Sequence, residues 1–178
     1  VLIAAMVPLK QHETVIDIGS GVGVAGFCAL ARVPGTKAIL VESDPTAANL
    51  ARDNAARNGF ADRTTIVAED VTVRGATDRC GLISAADHAV ANPPFYDPAS
   101  NRISPFKAGA HAAPDEALDA WLRFAVAALK PDGSLTLVHR AEALAMVLDG
   151  FARRFGALTV LPVHPRPGLP ATRIIVQG

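Results

Sequence analysis

The 178-residue sequence predicts an α/β fold: a mostly parallel seven-stranded sheet with helices on both faces and an antiparallel last strand. Three features carry that expectation. Short β-rich runs alternate with helical stretches, as in a sheet covered on both faces. The first run ends in a glycine turn that opens a helix. The last two runs are joined by a connection too short and too proline-rich for a crossover helix, so they should lie antiparallel to each other.

Residues 14–18 read as the first strand, and the glycine turn leads into a helix running to about Arg32. Residues 37–42 form the second strand and 45–58 a helix ended by Gly59. Pro45 suits a first helical turn, where a missing N–H costs nothing, and Asp44 before it reads as the N-cap. Residues 64–69 and 88–91 are the third and fourth strands. The stretch 113–130 is a helix with Leu118, Leu122, Ala125 and Leu129 on one stripe, stopped by Pro131 and Gly133. A fifth strand covers 134–139, a helix 141–155 ends at Gly156, and 158–163 and 173–177 are the final strands. Residues 1–178 are expected to form one domain trimmed at its N-terminus, with the C-terminus open to the same reading. The opening Val-Leu-Ile-Ala-Ala-Met resembles the middle of a helix and lacks the length and basic start of a signal peptide.

Half of the residues are hydrophobic and 19% charged, which excludes disordered and coiled-coil classes. Formal net charge is zero, so the global balance does not argue for a nucleic-acid partner. The distribution is uneven: before residue 120 lie 14 of the 17 acidic but only 10 of the 17 basic residues. A mildly basic C-terminal third fits either a phosphate-facing surface or a solvated helix face. Cys28 and Cys80 have no metal or redox spacing and read as small core residues in a reducing cytoplasm. No apolar run reaches membrane-spanning length.

The glycine turn runs Asp17-Ile-Gly19-Ser-Gly21-Val-Gly23-Val-Ala-Gly26. Gly21, Gly23 and Gly26 match the dinucleotide fingerprint literally. Asp17 argues against it, because a carboxylate just before the glycines would repel a pyrophosphate. It suits a ligand with an ammonium and a sulfonium and no phosphate, a description that S-adenosylmethionine meets. The glycine register then starts at Gly19, and Gly19, Gly21 and Gly23 allow the backbone to approach the cofactor. Glu42 ends the second strand, where a carboxylate can accept both ribose hydroxyls. Asp70, beyond the third strand, can accept from the adenine amino group. Either acid alone is an ordinary loop residue; an acid after each of three successive strands lines the crevice in which such sheets bind ligands.

The fourth strand runs into Asn92-Pro93-Pro94-Phe95. Two prolines remove two backbone donors and leave carbonyl acceptors. A planar amino group offers two donors, which the Asn92 side-chain oxygen and the Pro93 carbonyl can accept. Holding both hydrogens turns a delocalised lone pair toward a methyl donor, so orientation and local electrostatics suffice without a strong general base. Phe95 would stack on a flat substrate, worth about 1–3 kcal/mol for a base. A paired or stacked base would have to be flipped out to arrive. The plain alternative is a Pro-Pro strand end with Asn92 capping a turn.

Asp17–Gly23, Glu42, Asp70 and Asn92–Phe95 together resemble the class I amino-methyltransferases that carry an Asn-Pro-Pro-aromatic motif. The chain is most similar to the bacterial family that N6-methylates an anticodon-loop adenine of a valine tRNA. The similarity extends to the helix around Trp121, the 129–133 turn and 137–140. This resemblance implies a Rossmann-like fold, S-adenosylmethionine as cofactor, an RNA substrate, most specifically tRNA, and a cytoplasmic location. It implies Asn92, Pro93 and Phe95 as substrate-gripping residues, with Asn92 also bordering the cofactor crevice. The same motif occurs in families acting on guanine N2 in rRNA, on DNA adenine and on a glutamine amide in release factors, and Phe95 stands where the adenine family often has Tyr.

Other residues promise less. His12, His88, His111, His139 and His164 have no ligand spacing, and no metal site is expected. His139 and Arg140 end the fifth strand near the crevice, either as substrate-phosphate contacts or as a plain strand-end pair. Arg102, Lys107 and His111 lie in the aperiodic stretch 96–112, whose length suits a lid or disorder equally. Trp121 reads as a core residue. The competing classes are an NAD-linked oxidoreductase and a cofactor-binding domain without catalysis of its own.

Overall fold

A computed structural model describes residues 2–94 and 114–178. The strands are β1 (Thr14–Ile18), β2 (Lys37–Glu42), β3 (Thr64–Ala68), β4 (Ala86–Ala91), β5 (Leu129–Arg140), β6 (Thr159–Val163) and β7 (Arg173–Gln177). The helices are α1 (Leu2–Met6), α2 (Val24–Arg32), α3 (Pro45–Arg57), α4 (Ala76–Arg79), α5 (Pro114–Ala128) and α6 (Leu144–Ala152). They assemble into one seven-stranded sheet in the order β3-β2-β1-β4-β5-β7-β6. The β1–β2, β1–β4, β2–β3 and β4–β5 pairs are parallel, whereas β7 is antiparallel to both β5 and β6. The expected architecture therefore holds, including the single antiparallel last strand.

The central strands are nearly continuous apolar runs because both of their faces are covered. On one face, Ile16, Ile18, Ala89, Ala91, Leu135 and Leu137 pack against Leu118, Trp121, Leu122 and Phe151 of α5 and α6. On the other, Val15, Leu40 and Val90 meet Ile3 and Ala4 of α1, Phe27 and Leu30 of α2, and Ala51 and Ala55 of α3. The stripe Leu118, Leu122, Ala125 and Leu129 is buried as the helical spacing requires.

Several boundaries move. The fourth strand begins at Ala86 rather than 88, and the helix expected to reach 130 stops at Ala128. Both shifts have one cause. Leu129 pairs with Ala86, a bulge follows, and regular pairing resumes at His88 opposite Ser134. The Lys130-Pro131-Asp132-Gly133 segment makes that bulge, so the residues that end the helix also lie inside a strand. The stretch 141–155 divides into a 3₁₀ turn, Ala141–Ala143, and α6. The short helices α1 and α4 carry too few residues for periodicity to announce them. Asp44 caps α3 as expected, accepting from the Thr46 N–H at 2.8 Å.

Candidate active site

Parallel pairing brings the glycine turn and the Asn-Pro-Pro segment together. Ile18, the last residue of β1, is opposite Ala91, the last of β4, and opposite Val41 near the end of β2. Gly19, Asn92 and Glu42 therefore share the C-terminal edge of the sheet, where open α/β sheets form their ligand crevice. Asn92 is exposed there, Pro93 is buried and Pro94 exposed. Phe95 and the stretch 96–112, with Arg102, Lys107 and His111, lie outside the described residues.

The turn is held by hydrogen bonds to the end of β2. The Ser20 N–H donates to the Val41 carbonyl at 3.0 Å, and the Gly21 N–H donates to Glu42 Oε2 at 2.8 Å. Glu42 Oε1 accepts from the Asp44 N–H at 2.9 Å, so this carboxylate ties the end of β2 to the glycine turn and to the start of α3. Gly19 and Gly21 both have φ in the left-handed region, at 64° and 56°, but for different ends. A Cβ on Gly19 would fall 2.2 Å from the Trp121 ring, whereas a Cβ on Gly21 would meet nothing within 4 Å. Gly19 is demanded by the protein's own packing, and Gly21 borders open space. At Gly23 a Cβ would strike Phe27, and at Gly26 it would strike Leu40, so these two serve the docking of α2 on the sheet.

Asp17 is buried beneath the turn, 4% exposed, and its Oδ2 accepts the Gly26 N–H at 2.8 Å. Burial pushes its carboxyl up from 3.8 to about 7 against the lowering effect of the Gly26 bond, and the nearby Glu42 charge adds to the rise. Sequence reasoning saw a strand-end acid; the fold makes it an acid enclosed beneath the helix start. Asp70 bends back on its own turn, its Oδ1 accepting the Thr72 N–H at 2.8 Å and the Thr72 hydroxyl at 2.6 Å. Its neighbour Glu69 pairs with Arg79 at 3.1 Å. Sequence reasoning also passed over Ser20, whose hydroxyl is buried without a hydrogen-bond partner among the described residues. A hydroxyl residue between two glycines of the turn was the available signal.

A polar network closes the opposite end of the sheet. His88 Nε2 lies 3.0 Å from Glu13 and its Nδ1 2.8 Å from Ser134 Oγ, while Asp87 accepts from the Thr14 N–H and from Lys130 Nζ. His88 is thus a structural strand clamp. Among the described residues no cluster of His, Cys, Asp and Glu is arranged to hold a metal ion. No helix among them is long and apolar enough to cross a membrane.

A family model for the methyltransferase small domain matches residues 1–163. The chain belongs to that family. Among its relatives, a tRNA1(Val) (adenine(37)-N6)-methyltransferase from Dickeya chrysanthemi is 36% identical over 78% of this chain and 53% of its own length. A protein of the same description from Trichodesmium erythraeum is 27% identical over 99% of the chain and 73% of its own length. The chain spans about half the length of the first of these relatives. Among solved structures, a protein from Agrobacterium tumefaciens described as a predicted O-methyltransferase superposes with a TM-score of 0.81 at 28% identity, over 99% of this chain and 77% of that one. TrmN from Thermus thermophilus shares the fold, with a TM-score of 0.67 at 19% identity over 99% and 46% of the two chains. The fold is thus that of the Rossmann-like class I methyltransferases, a class whose members use S-adenosylmethionine, and the dinucleotide reading of the glycine turn falls away. The crevice suits such a group: Gly21 borders open space, Ser20 carries an unmet hydroxyl, and the start of α2 is faced by Asp17 and Glu42, which disfavour a phosphate there.

Proposed function

We propose that the chain is an S-adenosylmethionine-dependent N-methyltransferase acting on the exocyclic amino group of a nucleobase, adenine N6 in tRNA, in the cytoplasm. The observation that carries this reading is the position of Asn92-Pro93-Pro94, directly beyond β4 and one strand from the glycine turn. The names of the valine-tRNA relatives support the substrate.

Glu42, Gly19, Gly21 and Gly23 would line the cofactor's place, with Asp17 beneath them, Asp70 at the far strand and Asn92 at the border with the substrate. When bound, the cofactor supplies an electrophilic methyl group. The chain's own task is to present the amine. The Asn92 side-chain oxygen and the Pro93 carbonyl accept its two hydrogens, Phe95 stacks on the ring, and the burial of Pro93 keeps that backbone fixed. A hydroxyl substrate would need a base to take its proton as it attacks, and Asn92 and Pro93 carry no titratable group. This favours an amine.

The test is to incubate the chain with S-adenosylmethionine and an unmodified valine-tRNA transcript, then read the digested nucleosides by mass spectrometry. N6-methyladenosine is the expected product. N2-methylguanosine from rRNA, or methylation of a release-factor glutamine instead, would replace the substrate; no transfer to any of the three would remove the reading.

A further inference from the structure

Three basic residues of the C-terminal third, Arg140, Arg166 and Arg173, lie off the helices. Arg140 ends β5 and Arg173 begins β7, and the two are directly opposite in the antiparallel register. Val163, the last residue of β6, completes the row, and the loop that follows carries His164 and Arg166, both exposed. All of these stand at the edge of the sheet that holds Gly19 and Asn92. β4 and β5 run parallel with Ala91 opposite Leu137, so Asn92 is one residue past the paired segment and Arg140 three. At about 3.3 Å per residue and about 4.8 Å per strand, Arg140 lies roughly 7 Å beyond Asn92 and one strand over, with Arg173 one strand further.

Like charges directly opposite each other on neighbouring strands weaken the sheet. Among the described residues, the well-exposed Glu142 bonds Arg140 Nε at 3.0 Å and is held below the usual carboxylate range by that bond and by the charges of both arginines. His139, next to Arg140 in β5, is kept below its ordinary pKa by burial and by the same two guanidiniums. Two cations at one strand end thus create a local positive potential that the neighbouring groups feel, at the sheet edge that also carries Asn92.

We propose that Arg140 and Arg173, extended by Arg166, form a phosphate-binding edge that receives the RNA backbone next to the base presented at Asn92. The proposal rests on the RNA reading above. A guanidinium pair matches phosphate oxygens in fork geometry and is a stronger anion cradle than two lysines. The edge fixes the strand's position and leaves the choice of base to the Asn-Pro-Pro segment.

The test compares the wild type with Arg140→Gln/Arg173→Gln, with the lysine pair Arg140→Lys/Arg173→Lys, and with Arg153→Gln, whose guanidinium pairs with Asp149 on α6. Binding of the valine-tRNA transcript is measured without cofactor as a function of KCl, and S-adenosylhomocysteine affinity by calorimetry. The glutamine pair should weaken tRNA binding roughly tenfold or more and make the log–log salt dependence shallower by about 1–2. Its S-adenosylhomocysteine affinity and its rate at saturating tRNA should be unchanged. The lysine pair should keep the salt slope and bind between the wild type and the glutamine pair, and Arg153→Gln should behave as wild type. Wild-type tRNA binding and slope in the glutamine pair, with methylation of tRNA intact, would overturn the phosphate edge alone. A wild-type chain that neither binds nor methylates tRNA would remove the RNA reading and the edge with it.

Discussion

The indole of Trp121 closes directly over Gly19: a Cβ at position 19 would lie 2.2 Å from its Cη2 and 2.9 Å from its Cζ3. A residue of α5, the helix that follows the Asn-Pro-Pro segment, therefore forms the floor on which the glycine turn rests. Gly19→Ala should destabilise the fold by about 2–4 kcal/mol, combining overpacking with the strain of an L-residue at positive φ. In a Trp121→Leu background the same substitution should cost only about 1–2 kcal/mol. Urea unfolding of the double-mutant cycle measures the difference, and equal costs in both backgrounds would show that the two residues do not press on each other.

Gly21 should behave in the opposite way. No atom stands within 4 Å of its would-be Cβ, so Gly21→Ala loses only the about 1–2 kcal/mol of its left-handed φ in stability. Its side chain would enter the space assigned to the cofactor. S-adenosylhomocysteine affinity by calorimetry should fall by roughly an order of magnitude or more, with unfolding little changed. Retained affinity would move the cofactor away from this turn.

Asp17 links affinity to pH. Its carboxyl, at about 7 against an ordinary 3.8, is raised, so its contribution to stability is complete below about 3.8 and is lost as pH rises through about 7. Asp17→Asn keeps an acceptor for the Gly26 N–H without the buried charge. The variant should gain more stability at pH 8 than at pH 5, by on the order of 2 kcal/mol, read from thermal unfolding at both values. An ammonium beside Asp17 favours the ionised form, so wild-type affinity for S-adenosylhomocysteine should rise from pH 6 to 8 and that of the variant stay flat. A variant both no more stable at pH 8 and as pH-dependent as wild type would exclude this account.

Asn92→Ala should leave S-adenosylhomocysteine affinity nearly intact and cut turnover by two or more orders of magnitude, since one preorganised transition-state contact is worth about 2.7–4 kcal/mol. Asn92→Asp keeps an acceptor and should retain far more activity. Single-turnover methylation of the tRNA transcript ranks the three proteins; equal rates for wild type and the alanine variant would reduce the Pro-Pro segment to a strand terminator.

The fold was legible because the strands lie between covered faces: Val15, Ile16 and Ile18 announce β1 and its partners as continuous apolar runs, and Pro45 with Asp44 announces α3. The site was legible in its residue types but less so in their roles. Gly19, Gly21, Gly23 and Gly26 look alike in a motif, yet only contacts with Trp121, Phe27 and Leu40, residues near and far in the chain, separate packing glycines from the one facing open space. The same holds for the acids. Asp17 is a covered acid because α2 folds over it, and Asp70 is turned into its own loop by Thr72, neither of which a strand-end position reveals. The Leu129–Gly133 segment was hidden because Pro and Gly signal a stop, and a bulge inside a strand uses the same residues as a helix terminator.

The placement of β7 has a consequence for how the molecule is put together. It follows β6 in the chain yet lies inside it, between β5 and β6, and supplies every pairing that β6 has to the sheet. During synthesis β6 therefore emerges with no strand to join, and it waits through the 164–172 connection until Arg173–Gln177 arrives to bridge it to β5. Until then the outer edge of β5, carrying Thr136 to Arg140, is open to pairing with another chain. The edge of β5 is thus covered only when β7 docks, and shortening or slackening the proline-rich connection should change how long that edge stays bare.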